Sequence, residues 1–378
     1  PSCPPKELQL INKNILVNWF INFDQELYFR MENTKHSPIN EELQKQYIPM
    51  PFHIEGSVWT HTMMVVTYID TIFNYSKKSI SFKDYIILLT TALLHDIGKP
   101  AALKVKTSEK RPYPYNSFGG HEGISSFLAL KHLKQLQKDF PKFYNEEISK
   151  TIFSLISTHG VAIEEDDDNL NNLKTIFRAA DKNGAIRNVD EDIYNIYPNR
   201  KFSKRKDDNS CKKIILITGL PASGKSYFID NNFDSNEWFI LSKDKELFYY
   251  YFNFINEIDN PTYREVFLAI HENEQHFKSF CSIFNAKLLE TSKTYNKVII
   301  DMTLLSLKSR RKILNIFDSF KASSIILATD IETIFERNSR RKEIDLKIVP
   351  DSVILDKMTQ FTIPVKKEGF DNIEIILN

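Results

Sequence analysis

Two sets of residues in this sequence can handle phosphate, and they would do so in opposite directions. Residues 219–226 read Gly219-Leu220-Pro221-Ala222-Ser223-Gly224-Lys225-Ser226, directly after the apolar run 213–218. Glycines at that spacing let the backbone turn tightly enough for its N–H groups to surround a phosphate. Lys225 would set a positive charge on the β- and γ-phosphates of ATP. The Ser226 hydroxyl would hold Mg2+, and Tyr227 carries the loop into a helix whose N-terminus favours anions. The second set is scattered: His61, His95 with Asp96, His121, His159 and Asp181. Imidazoles and carboxylates in that mixture suit a divalent transition metal such as Mn, Co, Ni or Zn, with positions left for water and substrate. One site would add phosphate; the other would remove it.

Further residues fill out each site. The apolar run after the loop ends at Leu241-Ser242-Lys243-Asp244. A carboxylate at the C-terminal edge of a strand faces the ligand crevice of an open α/β sheet. Asp244 is thus placed to accept a proton from an attacking hydroxyl. The plainer alternative is a cap for a helix over 245–256, and one residue can do both jobs. The next run ends at Asp301-Met302-Thr303, suited to a contact with Mg2+. Arg337 and Arg341 lie in a basic cluster that reads as a lid over the triphosphate, or as a solvated helix end. On the other side, His121 and His159 are each flanked by glycine and could serve a second metal or touch the scissile phosphate. Lys99, three residues past Asp96, would contact phosphate or steady a leaving group; the plainer reading is a charged loop residue.

These residues need scaffolds. The first half patterns as helices, over 83–95, 123–139 and 145–158, with no strand-type alternation before residue 213. The second half alternates short apolar runs, at 213–218, 237–241, 297–300, 323–328 and 371–377, with helical segments. That pattern predicts a parallel sheet covered on both faces. The basic stretch 198–212 reads as a linker, giving domains over 1–200 and 213–378 joined by 201–212. The acidic run Glu164 to Asp168 predicts an exposed loop.

A chain of 378 residues can build two cores. A net charge of about +1 excludes a global polycation, so any nucleic-acid surface must be local. Three scattered cysteines exclude a disulfide framework and predict a reduced, cytoplasmic protein. The longest apolar stretch, Tyr85 to Leu94, is too short to span a membrane. The first residues, Pro1 to Pro5, lack a methionine and read as a processed or engineered end.

The set GLPASGKS, SKD, DMT and RNSRR followed by VPDSVI, within about residues 213–370, resembles the kinase domain of phage-type 5′-OH polynucleotide kinases. The resemblance implies that Lys225 and Ser226 bind ATP and Mg2+, that Asp244 is the general base, and that Arg337 and Arg341 contact the nucleotide phosphates. Two positions depart from that family. Leu247 stands where it carries an arginine for the acceptor's 3′ phosphate, and Leu304 where it often carries asparagine. The ordered histidines and aspartates resemble the HD phosphohydrolase superfamily, an all-helical fold. Residues 50–185 are further similar to the HD domain attached to bacterial CCA-adding enzymes, which removes terminal phosphates from RNA, 2′,3′-cyclic ones included. Ser57 replaces that group's usual aspartate, and residues 1–49 match nothing.

The whole order resembles the bifunctional HD-domain polynucleotide kinases. It implies an end-healing enzyme that acts on RNA or DNA ends, works with a separate ligase and needs no membrane. Two other readings compete. One is an HD nucleotide phosphohydrolase fused to a kinase for a nucleoside, sugar or antibiotic. The other is a non-catalytic nucleic-acid-binding regulator, against which the intact Lys225, Asp244 and metal-ligand sets argue.

Overall fold

The computed structural model describes residues 11–36, 56–75, 80–108, 111–160, 168–185, 211–344 and 347–378. Most of the basic stretch 198–212 and the acids 164–167 lie outside the described residues. The chain divides into two compact units, Pro1–Arg200 and Lys201–Asn378.

In the first unit, helices α1 (Lys13–Phe23) and α2 (Gln25–Asn33) start at Asn12 and Asp24, whose side chains accept from the backbone N–H of Ile15 and Leu27. Such caps satisfy amide groups that the helix cannot. Helix α3 is Val58–Tyr75; Ser57 precedes it and accepts from the Thr60 N–H at 3.0 Å. Helix α4 (Phe82–Leu94) is buried from Tyr85 to Leu94, as its all-round apolar sequence requires. Around it pack α6 (His121–Asp139), α7 (Glu146–Thr158) and α8 (Asp168–Asn183). Between α4 and α6 come a short helix, α5 (Lys99–Ala102), and an antiparallel hairpin of β1 (Lys104–Ser108) and β2 (Arg111–Ser117). The sequence pattern predicts no strand here. The reason is that Lys104 to Thr107 are all exposed, so no apolar alternation marks the strand.

The second unit is a five-stranded parallel sheet in the order β4-β5-β3-β6-β7, formed by Lys213–Thr218 (β3), Phe239–Ser242 (β4), Lys297–Asp301 (β5), Lys321–Ala328 (β6) and Asn372–Leu377 (β7). Its strands read as continuous apolar runs because both faces are covered. Ile214, Leu216, Val298 and Ile300 enter the core on one face, and Ile217, Ile299 and Leu327 that on the other. The connecting helices are α9 (Lys225–Asn232), α10 (Lys243–Phe254), α11 (Tyr263–His271), α12 (Glu274–Thr294), α13 (Leu307–Ile316), α14 (Ile331–Ile344) and α15 (Asp351–Thr359). Asp301 pairs in register with Ile217 on one side and Ser242 on the other, so the three strands end within one residue of each other.

The loop after β5 is stapled from below. Arg310 is fully buried, with Nε and Nη2 donating to the Glu368 carboxylate at 2.8 and 2.7 Å. Its Nη1 donates to the carbonyls of Leu304 and Leu305, both at 3.1 Å. Leu304 itself has φ 44°, a left-handed conformation that costs any residue with a Cβ. Among the described residues, no helix is long and apolar enough to cross a membrane.

Candidate active sites

The first unit gathers side chains from five separate helices and turns onto one point. His61 comes from α3, His95 and Asp96 from the end of α4, His121 from the start of α6, His159 from the end of α7 and Asp181 from α8. The turn carrying Asp96 lies hard against α6, and Gly98 permits it. A Cβ at Gly98 would stand 2.5 Å from the Ser125 amide nitrogen.

Each imidazole is oriented in the same way. The Nδ1 atoms of His61, His95, His121 and His159 lie 3.2, 2.8, 2.9 and 2.7 Å from the carbonyls of Gly184, Ala92, Phe118 and Ile156. A carbonyl only accepts, so Nδ1 carries the hydrogen and Nε2 presents its lone pair. The Nε2 atoms then converge. Those of His121 and His159 face each other at 3.1 Å, where two lone pairs repel unless a proton or cation lies between them. Asp96 sits at the centre. One oxygen is 3.1 Å from His95 Nε2 and 3.6 Å from His61 Nε2; the other is 3.2 Å from His121 Nε2 and 3.8 Å from His159 Nε2. Asp181 is 3.0 Å from His61 Nε2 and 3.6 Å from His95 Nε2.

The two carboxylates draw positive charge to this point, whether as a proton on His95 Nε2 or as a cation that displaces it. Burial works most strongly against charging His95, yet Asp96 and Asp181 outweigh it and push the imidazole up to about 10. Burial likewise opposes ionised Asp96 and Asp181, but the histidines, and Lys99 beside Asp96, hold both carboxyls well below the usual carboxylate range. Burial and the neighbouring His121 and His95 push His159 down to about 4. His95 Nε2 and both Asp96 oxygens are buried without a well-formed hydrogen bond. Lys99 is ion-paired to one Asp96 oxygen at 2.6 Å, which leaves the other oxygen and His95 Nε2 as buried polar atoms that need a further partner. Two ligand groups fit: His61 with His95 and Asp96, and Asp96 with His121 and His159. Asp96 belongs to both.

Lys99 is buried, not a solvated loop residue. Its Nζ lies 2.6 Å from Asp96 and 3.0 Å from Nε2 of His36. His36 reaches the site because Thr34 and His36 pair through their backbones with Val58 and Gly56. Ser57 stands outside the ligand group, occupied with Thr60.

In the second unit the phosphate loop leaves β3 and enters α9. A Cβ at Gly219 would sit 2.6 Å from Ser223 Oγ and 3.2 Å from the Leu327 carbonyl, so a side chain there would have to push the Ser223 hydroxyl aside. The Gly219 N–H donates to the Thr303 carbonyl at 3.2 Å, tying the loop to the end of β5. Lys225 curls over the loop, donating to the Gly219 and Leu220 carbonyls at 3.1 and 2.8 Å. Burial pushes its ammonium down to about 8, against the pull of Asp301 and Asp244. The hydroxyls of Ser226 and Ser242 point at one Asp301 oxygen, at 3.5 and 3.2 Å. Pro221, Ala222 and Ser223 complete the loop, and Tyr227 is 76% exposed beyond it.

Asp244 is not a helix cap. Helix α10 begins at Lys243, one residue after Ser242, so Asp244 lies in the first turn with its carboxylate free for other partners. Tyr263 donates to it at 3.0 Å, and Lys347 forms an ion pair with it. Burial alone would raise this carboxyl, but Lys347 and Tyr263 hold it below the usual range. Arg337, on α14, donates to the Ser223 carbonyl at 3.3 Å and so touches the loop. Arg341 stands one turn further on, close enough for its charge to act on Lys225 and Tyr263. Leu247 is buried in the core and takes no place in the site.

Residues 58–185 match the HD domain family, and residues 214–364 match the AAA domain family. The chain joins an HD domain to an AAA domain. No curated protein matches the sequence. Among solved structures, a chain of the Pnkp1/Rnl/Hen1 RNA repair complex is 21% identical, with a TM-score of 0.32, over 42% of this chain. This chain spans 46% of that one's length. A gluconokinase from Sinorhizobium meliloti 1021 is 12% identical over 44% of this chain and 83% of its own, at TM-score 0.30. Chaetomium thermophilum Kti12, solved with ADP-AlF3, is 14% identical over 43% and 88%, at 0.30.

The HD domain implies a metal and the AAA domain implies ATP with Mg2+, and both residue sets fit. Four side chains close to the chemistry carry no sequence signal: His36, Glu122, Tyr263 and Lys347. Glu122 lies 3.5 Å from His121 Nδ1; burial opposes its ionisation, but His121 and His159 hold its carboxyl down. Only its place next to His121 could have pointed to it. The others lie outside every motif.

Proposed function

We propose that the chain heals broken nucleic-acid ends. The HD domain removes a 2′,3′-cyclic phosphate, a 2′-phosphate or a 3′-phosphate from an RNA or DNA end. The AAA domain transfers the γ-phosphate of ATP to a 5′-OH. A separate ligase then joins the ends, in the cytoplasm.

The observation that carries this reading is the setting of Asp244. It lies on the same edge of the sheet as the phosphate loop, and its carboxylate is held ionised by Lys347 and Tyr263. An ionised carboxylate there can take the proton of an attacking hydroxyl. Lys225 charges the loop that holds the β- and γ-phosphates. Arg337 and Arg341 are aimed from α14 to balance charge on the group in transfer. Ser226 and Asp301 would hold Mg2+.

In the HD domain, His61, His95, Asp96 and Asp181 would hold one divalent ion, and Asp96, His121 and His159 a second. The imidazoles favour Mn, Co, Ni or Zn over Mg2+. Such ions, when bound, supply Lewis acidity and a more acidic water. The backbone carbonyls behind each imidazole keep the donors aimed. Lys99 places a positive charge beside Asp96, where a phosphoryl oxygen or leaving group can meet it.

One observation favours a second reading. Leu247 is buried at the position where the resembled kinases hold the acceptor's 3′ phosphate. A kinase without that grip suits a small acceptor, such as a nucleoside, sugar or antibiotic. The deciding experiment supplies ATP, Mg2+ and a panel of transition metals with an RNA bearing a 5′-OH and a 2′,3′-cyclic phosphate. Both ends should change. Phosphorylation of a nucleoside or sugar, with the RNA 5′-OH untouched, would establish the second reading.

A further inference from the structure

The two ligand groups of the HD domain are unequal in charge. The first, His61 with His95 and Asp96, also has the Asp181 carboxylate, 3.0 Å from His61 Nε2 and 3.6 Å from His95 Nε2. The second, Asp96 with His121 and His159, has a single carboxylate, and that one is shared with the first. Lys99 offsets part of its charge from 2.6 Å away. A divalent cation held by two neutral imidazoles and one shared carboxylate would leave a surplus of positive charge among largely buried groups. Unbalanced charge there is costly.

Glu122 stands where that surplus can be met. It follows His121 in the first turn of α6, and its carboxylate lies 3.5 Å from His121 Nδ1, behind the ring as seen from Nε2. Its charge acts on both His121 and His159. The other wall of its seat is Gly160, the residue after His159. A Cβ at Gly160 would stand 2.1 Å from Glu122 Oε1, and the three nearest atoms it would meet all belong to Glu122. Gly160 does not have the left-handed backbone that favours glycine, so the room it leaves for this carboxylate is what the missing side chain supplies. A helix N-terminus favours an acid in its first turn, but that preference leaves the acid free to stay in water. Glu146 and Glu147 do so at the start of α7, whereas the Glu122 carboxylate is folded into the notch between two imidazoles.

We propose that Glu122 is a positioning residue of the HD domain: seated in the Gly160 notch behind His121 and His159, it supplies the negative charge that lets Asp96, His121 and His159 hold a second divalent ion. Carboxylates behind metal-binding imidazoles fix the ring and make it a stronger donor. The inference rests on the two-ion reading of this site.

The test uses the full chain, stripped of metal and dialysed against stepped concentrations of free Co2+. Excess Mg2+ keeps the oxygen ligands of the AAA domain occupied, and bound cobalt is read by elemental analysis. The unmodified protein should take up two cobalt ions. Glu122→Gln keeps the shape and removes the charge; Gly160→Ala keeps the charge and displaces the carboxylate. Each should leave the affinity for one ion in place and weaken the other ~10–100-fold. Glu146→Gln, a change to an exposed first-turn acid, should alter neither. Circular dichroism of each metal-free variant checks its folding, and if Gly160→Ala does not fold, Glu122→Gln decides. Two ions bound with unchanged affinity in Glu122→Gln would make the residue an ordinary helix-terminus charge. Equal weakening of both ions would make it a packing residue of the whole site. Either result overturns the proposal. Failure of the two-ion reading looks different: the unmodified protein itself would bind a single cobalt ion, and the role of Glu122 would fall with it.

Discussion

The two sites gather their polar groups with different materials. The HD site is made of side chains. Six residues spread over 120 positions, from His61 to Asp181, cluster with Asp96 at their centre, each imidazole locked by a carbonyl behind it. The AAA site is made largely of backbone, a loop from Gly219 to Gly224 between β3 and α9 whose amides would do the holding. One is largely buried and preset by packing; the other has partly exposed partners, such as Arg337 and Lys347. Packing that presets donors tolerates little change at its centre, whereas a backbone loop depends on a few charges around it.

The sharpest way to break this comparison is at the centres. Asp96→Ala removes the residue shared by both ligand groups. Phosphate removal should fall by well over a hundredfold, since even residues behind metal ligands contribute ~10–100-fold. Bound transition metal, read by elemental analysis, should fall with it, while 5′-phosphorylation stays normal. Lys225→Ala should do the reverse, stopping 5′-phosphorylation and sparing phosphate removal. Loss of both activities in either variant would mean that the sites are not independent.

Arg337→Ala comes next. Removing a guanidinium from a transferring phosphoryl group should slow the kinase at least ~100-fold. Arg337 is exposed, so the melting curve should not move. Lysine should restore only part of the rate, because it keeps the charge and loses the planar fork. A normal rate in both Arg337→Ala and Arg341→Ala would return that segment to a solvated helix end.

His36→Ala sharpens the HD half. Lys99 would lose the acceptor that aims it, and phosphate removal should drop ~10–100-fold with metal content intact. His36→Gln, which can still accept, should recover part of the rate. In the AAA half, Glu368→Ala strands the buried Arg310 charge and should destabilise that domain by ~3–5 kcal/mol. The check is a lower melting transition with unaltered phosphate removal at low temperature.

The smallest effect concerns pH. Asp244 must be ionised to accept a proton, and Lys347 and Tyr263 lower its pKa against the opposing effect of burial. The carboxylate therefore stays charged as pH falls toward the ordinary value of about 4, and the acid limb of kcat/KM should lie below that value. In Lys347→Met the limb should move to higher pH. A limb that does not move would remove Lys347 from the account.

The contrast also explains what could be read from sequence. The phosphate loop was legible in full because its parts are adjacent and lie between a strand and a helix. The HD residues were legible by type and order. That Asp96 joins two groups was not, because it depends on how α4, α6 and α7 cross. His36 was invisible: only the backbone pairing of residues 34–36 with 56–58 brings it beside Lys99. Lys347 was one lysine in a charged segment. The hairpin at 104–117 escaped because its residues are polar and solvated, which erases the period-two signal. The apolar runs of β3, β4 and β5 were legible too, but the register that aligns their ends was not, because it depends on strand pairing.

The central claim is that one chain carries two independent phosphate chemistries acting on opposite ends of a nucleic acid. A single RNA with a 5′-OH and a 2′,3′-cyclic phosphate, labelled at both ends, tests it directly. With ATP, Mg2+ and Mn, Co, Ni or Zn, the unmodified protein should convert the strand to a 5′-phosphate, with the cyclic phosphate opened or removed. Asp96→Ala should yield only the new 5′-phosphate, and Lys225→Ala only the altered 3′ end. An RNA left unchanged at both ends under every metal, by protein that retains ATP and metal binding, would contradict the account.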